Sequence, residues 1–231
     1  MTADTPSAAA SALAERTEFL HRTYQHLALA IAAFIGLEAL LLSIPGIESF
    51  VAMMTSSRAG WLLVLGAFMG VSYVADRWAS ATTSRATQYV GLGLYIVAEA
   101  VIFLPLLYYA AYVVGGDVLV KSAVTTGVVF GGLTATVLIS KRDFSFLGGF
   151  LKVAGFGAMG LIVVSLLFGF TLGNLFAGAM AVFAAGAIVY STSNILHRYR
   201  PDQHVAAALS LFASVALLFW YVLSFLLGSR R

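Results

Sequence analysis

Two carboxylates stand inside long apolar stretches of this chain, where a charge is costly and a functional reason for it is the default expectation. Glu99 lies near the middle of the run 89–114, six residues before Pro105, and Glu38 lies toward the far end of the run 27–44. A carboxyl withdrawn from water is disfavoured as the anion, so it stays protonated, pairs with a cation, or hydrogen-bonds to a neighbouring helix. Pro105 should kink its helix and release a carbonyl close to Glu99. Both carboxylates are therefore candidate pore or proton-sensing groups. The plainer reading, hydrogen bonds that tie helices together, stands beside it.

Hydroxyls and amides form the other polar features. Tyr190, Asn194 and His197 recur at helical spacing and define one face of the run 175–196 and its end. In the run 205–227, Ser210, Ser214, Tyr221 and Ser224 share a stripe that Leu217 completes at spacings of 4, 3, 4 and 3. Two such faces can line a hydrated path or bond to each other as interhelical glue. The absences narrow the chemistry. The last apolar run has no lysine for a retinal Schiff base, and there is no G-x-S-x-G elbow and no nucleotide-binding loop. The histidines, His21, His26, His197 and His204, include no i, i+4 pair of the kind that grips zinc on a helix. No cysteine is available for a thiolate site or a disulfide, so no cofactor and no metal site is expected.

The elements that must hold these groups are membrane spans. A spanning helix needs roughly 20 apolar residues, and backbone polar groups cannot stay unpaired in lipid. Seven runs qualify: 27–44, 60–74, 89–114, 122–139, 148–170, 175–196 and 205–227. The second is short at 15 residues. With 61% hydrophobic and 10% charged residues and a mean hydropathy of +0.95, no soluble class fits. The expectation is an all-α bundle of seven spans, residues 24–229, behind a polar and disordered cytoplasmic tail, residues 1–23. The tail lacks the plan of a signal peptide, so the first span should direct its own insertion.

Short connections rich in turn residues (Pro45-Gly46, Gly115-Gly116-Asp117, Gly173-Asn174 and Arg200-Pro201-Asp202) predict an up-down bundle. Lys and Arg crowd the even-numbered connections and the N-terminal tail, which predicts a cytoplasmic N-terminus and a periplasmic C-terminus. The net charge of +3 reads as that topology signal and not as a nucleic-acid footprint. Glycines four apart, Gly66 and Gly70, Gly127 and Gly131, Gly169 and Gly173, predict close helix packing within the bundle, with dimerisation as the alternative. The segment 140–149 should be ordered, with Asp143 or Ser145 capping the fifth span and Lys141 and Arg142 at the anionic inner leaflet.

That segment reads Ser140-Lys141-Arg142-Asp143-Phe144-Ser145-Phe146-Leu147-Gly148-Gly149-Phe150-Leu151. Together with Tyr190-Ser191-Thr192-Ser193-Asn194-Ile195, Ala207-Ala208-Leu209-Ser210-Leu211-Phe212 and Pro105-Leu106, it resembles the Bax inhibitor-1 family of seven-helix membrane proteins. The likeness runs from about Arg22 to Leu227 and is closest to the bacterial YccA-like branch. It implies a bacterial cytoplasmic-membrane protein in contact with lipid and a non-enzymatic regulator of a membrane-anchored AAA+ protease of the FtsH type. The alternative it implies is a leak for calcium or another cation. Leak-type members carry an acidic pair at positions that correspond to Ser191 and Ser214. Two serines cannot share a titrating proton, so pH gating should be weak or absent here.

Overall fold

All elements among the described residues, 8–81 and 84–230 of the computed structural model, are helical. The order is α1 (Ala8–Leu42), α2 (Ile47–Thr55), α3 (Arg58–Ala79), α4 (Arg85–Tyr108), α5 (Asp117–Ser140), α6 (Leu147–Phe168), α7 (Gly173–His197) and α8 (His204–Gly228). A π-helical turn, Tyr109–Gly115, prolongs α4, and a 3-10 turn, Pro201–Gln203, leads into α8. Seven of these helices are long and apolar enough to span a membrane, as the sequence predicts. Only α2 is too short, and it lies between the first two spans where a plain loop was expected.

Local chemistry sets the boundaries. Ser57 accepts a hydrogen bond from the Gly60 amide at 2.9 Å and starts α3, and Ser84 accepts from the Thr87 amide at 3.4 Å and starts α4. Gly46, Gly115 and Gly173 take φ values of +86°, +117° and +68° at the predicted turns, a conformation open to glycine at little cost. The second span, α3, does not end at 74 but runs on to Ala79, because Ala75 and Ala79 are buried against α4 although Asp76 and Arg77 between them are polar. Pro105 leaves α4 helical through Tyr108. The irregularity follows immediately as the π-helical turn, a common outcome where a helix loses a regular bond.

The disordered tail expected over residues 1–23 is not found from Ala8 onward. α1 begins there, and its buried stripe, Phe19, Thr23, Leu27, Ala30, Phe34 and Glu38, starts well before the apolar run. Arg16 fixes this extension by donating to the carbonyls of Tyr199, at 2.8 Å, and Ile195. Residues 1–7 of the tail and Arg231 lie outside the described residues.

In the core, α8 packs against α7, α1, α5 and α4, and α4 and α8 are the most buried spans while α3 and α6 are the least. With lipid as apolar as leucine, such contacts depend on close approach and polar ties. The closest approach of one helix backbone to another is not made by the spaced glycine pairs. Gly66, Gly70, Gly127 and Gly131 have no foreign atom within 4 Å of where a Cβ would stand, and Gly169 and Gly173 form turns. Gly91 makes it instead. A Cβ there would stand 2.6 Å from the Ala75 carbonyl oxygen and 2.9 Å from the Trp78 carbonyl carbon.

Candidate functional site

α4 presents Tyr95 and Glu99, one turn apart, toward α8 and α3. Glu99 is 5% exposed and borders a partly open cavity of about 480 Å³ lined by α3, α4, α6, α7 and α8. Ser214 and Tyr221 of the predicted α8 stripe border the same cavity. Three of the candidates named from the sequence therefore border one space. The rest of the wall was missed: Trp61, Phe68, Tyr95, Phe103, Phe176 and Trp220 make it largely aromatic. Phe103 and Trp220 meet edge to face at 4.9 Å, and Phe176 and Tyr221 at 6.1 Å. Tyr95, four residues before Glu99 on one helix, was a legible signal. The aromatic groups of α3 and α8 were not, since no spacing within one helix reveals what faces it from another.

Toward the N-terminal end of the bundle the two hydroxyl faces do meet. Ser191 of α7 lies 3.1 Å from Ser214 and 3.2 Å from Ser210, oxygen to oxygen, and Ser214 donates to the Ser210 carbonyl at 3.0 Å. Below them, outside the spans, burial pushes the pKa of the Tyr199 hydroxyl up while a hydrogen bond with Ser210 opposes the shift. The hydroxyl set thus runs from the bundle end to the cavity edge.

The segment between α5 and α6 is tied to the same helix. Ser193 accepts from the Phe144 amide at 2.8 Å and donates to Asp143 at 3.4 Å. Asp143 also accepts from the Ser145 amide at 2.8 Å, and that bond, with further hydrogen bonding from Ser145, holds its pKa below the usual carboxylate range. The predicted cap is thereby corrected: neither Asp143 nor Ser145 caps a helical amide with its side chain, and Asp143 instead closes a turn just ahead of α6. Gly148 follows because the Tyr190 ring lies where a Cβ would be, 2.7 Å from its nearest atom.

Other candidates stay apart. Tyr190 packs on Gly148 and not into the cavity. The Asn194 side-chain oxygen is buried with no hydrogen-bond partner among the described residues. Glu38 is 4% exposed, away from the cavity, and neither of its oxygens has a partner among them. Among the described residues no three His, Cys, Asp or Glu side chains gather as a metal site.

The motif segments that carry the resemblance are thus the contacts that join the α5–α6 segment to α7 and α7 to α8. The family described as "Inhibitor of apoptosis-promoting Bax1" matches residues 16–231. The chain belongs to the Bax inhibitor-1 family. It is 29% identical to an uncharacterised protein of Pseudomonas aeruginosa over 80% of this chain and 82% of that one. It is 28% identical to Protein lifeguard 4 of Mus musculus over 91% and 85%. Against the Golgi anti-apoptotic protein of Vaccinia virus the identity is 30% over 49% and 48%. In this Bax inhibitor-1 family member, the positions where the resemblance implies two acids hold Ser191 and Ser214 in direct hydroxyl contact.

Proposed function

We propose that this chain is a non-enzymatic regulator of partner proteins, acting through the N-terminal end of its bundle on the cytoplasmic side of a bacterial inner membrane. The observation that carries this reading is the length of α1. Its 35 residues extend about 52 Å, against about 30 Å of hydrocarbon. The surplus is not loose: Phe19 is buried and Arg16 is bonded to the α7–α8 connection, while Glu15, Glu18 and Arg22 face outward. A rigid, charged handle of this kind suits a membrane-anchored AAA+ protease of the FtsH type, the partner class implied by the resemblance. The same end carries Arg77, Arg85, Lys141, Arg142, Arg198 and Arg200, which supports its cytoplasmic placement.

Glu15→Ala with Glu18→Ala strips outward charge from the handle and spares Arg16 and Phe19. It should lengthen the protein's lifetime in cells with the active protease while leaving the melting temperature in detergent unchanged. Unaltered turnover with an intact bundle refutes the handle.

A second reading, a cation leak, is favoured by the cavity that joins Glu99 to Ser214 and the serine set. Flux through purified protein in liposomes should be small and only weakly pH-dependent, since the acidic pair is replaced by serines. Acidification neutralises Glu99, so Glu99→Gln should remove whatever dependence remains. A steep pH dependence that survives Glu99→Gln would move the proton-sensitive group elsewhere.

A further inference from the structure

The cavity beside Glu99 has a composition that selects among ligands. Its volume of about 480 Å³ falls within the usual range for small-molecule sites, about 300–1,000 Å³. Glu99 is the one charged side chain among the residues that border it, and none of them is basic. No ion pair occupies the Glu99 carboxyl among the described residues. Around it stand the rings of Trp61, Tyr95, Phe103, Trp220 and Tyr221. Aromatic faces carry negative potential, and rings around a cation attract it more strongly when water is excluded.

We propose that this cavity is a binding site for an amphipathic organic cation, with the ammonium centre at Glu99 and the apolar body against the aromatic walls. A small divalent ion fits less well. Calcium takes 6–8 oxygen ligands, and the cavity offers one carboxylate and the hydroxyls of Tyr95, Ser214 and Tyr221. An anion would meet Glu99 with no basic partner. An uncharged apolar molecule would leave the carboxyl without a counter-charge. The lipid-exposed spans α3 and α6 both border the cavity, through Trp61 and Leu65 on one side and Met159 and Ile162 on the other. A ligand that partitions into the bilayer therefore reaches the site along their seam. This inference does not depend on the protease reading.

Two of the three tryptophans, Trp61 and Trp220, border the cavity, so intrinsic fluorescence reports its occupancy. Full-length protein in nanodiscs is titrated with benzyltrimethylammonium and with neopentylbenzene, its uncharged carbon isostere, against empty nanodiscs. The ammonium should give a saturable change and the isostere a much weaker one. Glu99→Gln should weaken ammonium binding at least about tenfold, the equivalent of one lost charge-assisted contact. Asp117→Asn, outside the cavity, should leave it unchanged. Trp61→Leu, read through Trp220, should weaken binding severalfold and keeps the test open if Glu99→Gln does not fold. Equal affinity for the two probes, no saturable signal above empty nanodiscs, or equal losses in Glu99→Gln and Asp117→Asn would overturn the proposal.

Discussion

The serine set and the Glu99 cavity share Ser214, yet they solve the problem of polar groups in a bilayer in opposite ways. Ser191, Ser210 and Ser214 bond to one another within 3.2 Å and bind α7 to α8. Glu99 borders an open space lined by rings, with no basic side chain among the residues around it. Small hydroxyls can each donate and accept, so three of them close a network without help from outside. A carboxylate only accepts: the Tyr95 hydroxyl hydrogen-bonds to Glu99, but among the described residues no basic side chain pairs with it. The closed set holds helices together, and the open one is left with capacity to bind.

The sharpest way to break this contrast is to push on backbone contacts in the closed end and on empty ground elsewhere. Gly91→Ala places a methyl against the Ala75 carbonyl and the backbone of α3, which cannot yield as a flexible side chain would. It should cost on the order of 1–3 kcal/mol of stability in detergent. Gly66→Ala, with nothing within 4 Å, should change stability by less than about 0.5 kcal/mol. Similar losses for the two would show that the tight and open regions have been assigned wrongly.

Next in size, Ser191→Asp with Ser214→Asp should convert the closed set into a titrating one. Two carboxyls at a site where the hydroxyl oxygens are 3.1 Å apart would share one proton and repel once both ionise. The melting temperature of this variant should fall as pH rises through neutrality, where the wild type stays level. Parallel profiles would show that the bundle does not hold the pair close enough to couple.

Arg16→Gln removes the charged donor from the Tyr199 and Ile195 carbonyls and should cost about 1 kcal/mol, reduced by partial exposure. It should also increase proteolysis within residues 8–16 in detergent. Unchanged cleavage would detach the handle from the bundle end.

The smallest effect is expected at Asp143, which is exposed. Its carboxylate is held below its unfolded pKa, so its contribution is present above about pH 4 and fades as pH falls through the lower, folded value. Asp143→Ala should therefore lower the melting temperature slightly at neutral pH and not at all in strong acid. A difference that persists unchanged in strong acid would trace the effect to packing and not to the Asp143–Ser145 turn.

The seven spans were legible because apolar length alone dictates them, and the turns because glycine sits where φ must be positive. α1 shows the limit. Phe19 and Thr23 continue the spacing of Leu27, Ala30 and Phe34, but Glu15, Arg16, Glu18 and Arg22 around them mask the stripe in a hydropathy reading. Conversely, Gly66 and Gly70 have the spacing of a packing motif and pack on nothing in this chain, since spacing records a face and not its occupant. Of the site, Glu99, Ser214 and Tyr221 stood out as polar groups in apolar runs. Trp61 and Trp220 did not, because an aromatic residue in a span needs no explanation until a carboxylate is found opposite it.

The backbone contact at Gly91 has a mechanical consequence. It pins α3 to α4 at the Ala75–Ala79 end, while at the far end the Arg58 guanidinium rests against the Gly169 backbone where α6 stops. α3 is therefore a lever with its fulcrum at one membrane face and its catch at the other. Over roughly 30 Å of helix, a tilt of about 5° at the fulcrum carries Arg58 sideways by about 3 Å. Because the catch is the contact of a single guanidinium with backbone, a displacement of that size is enough to break it and free this end of α3 from α6.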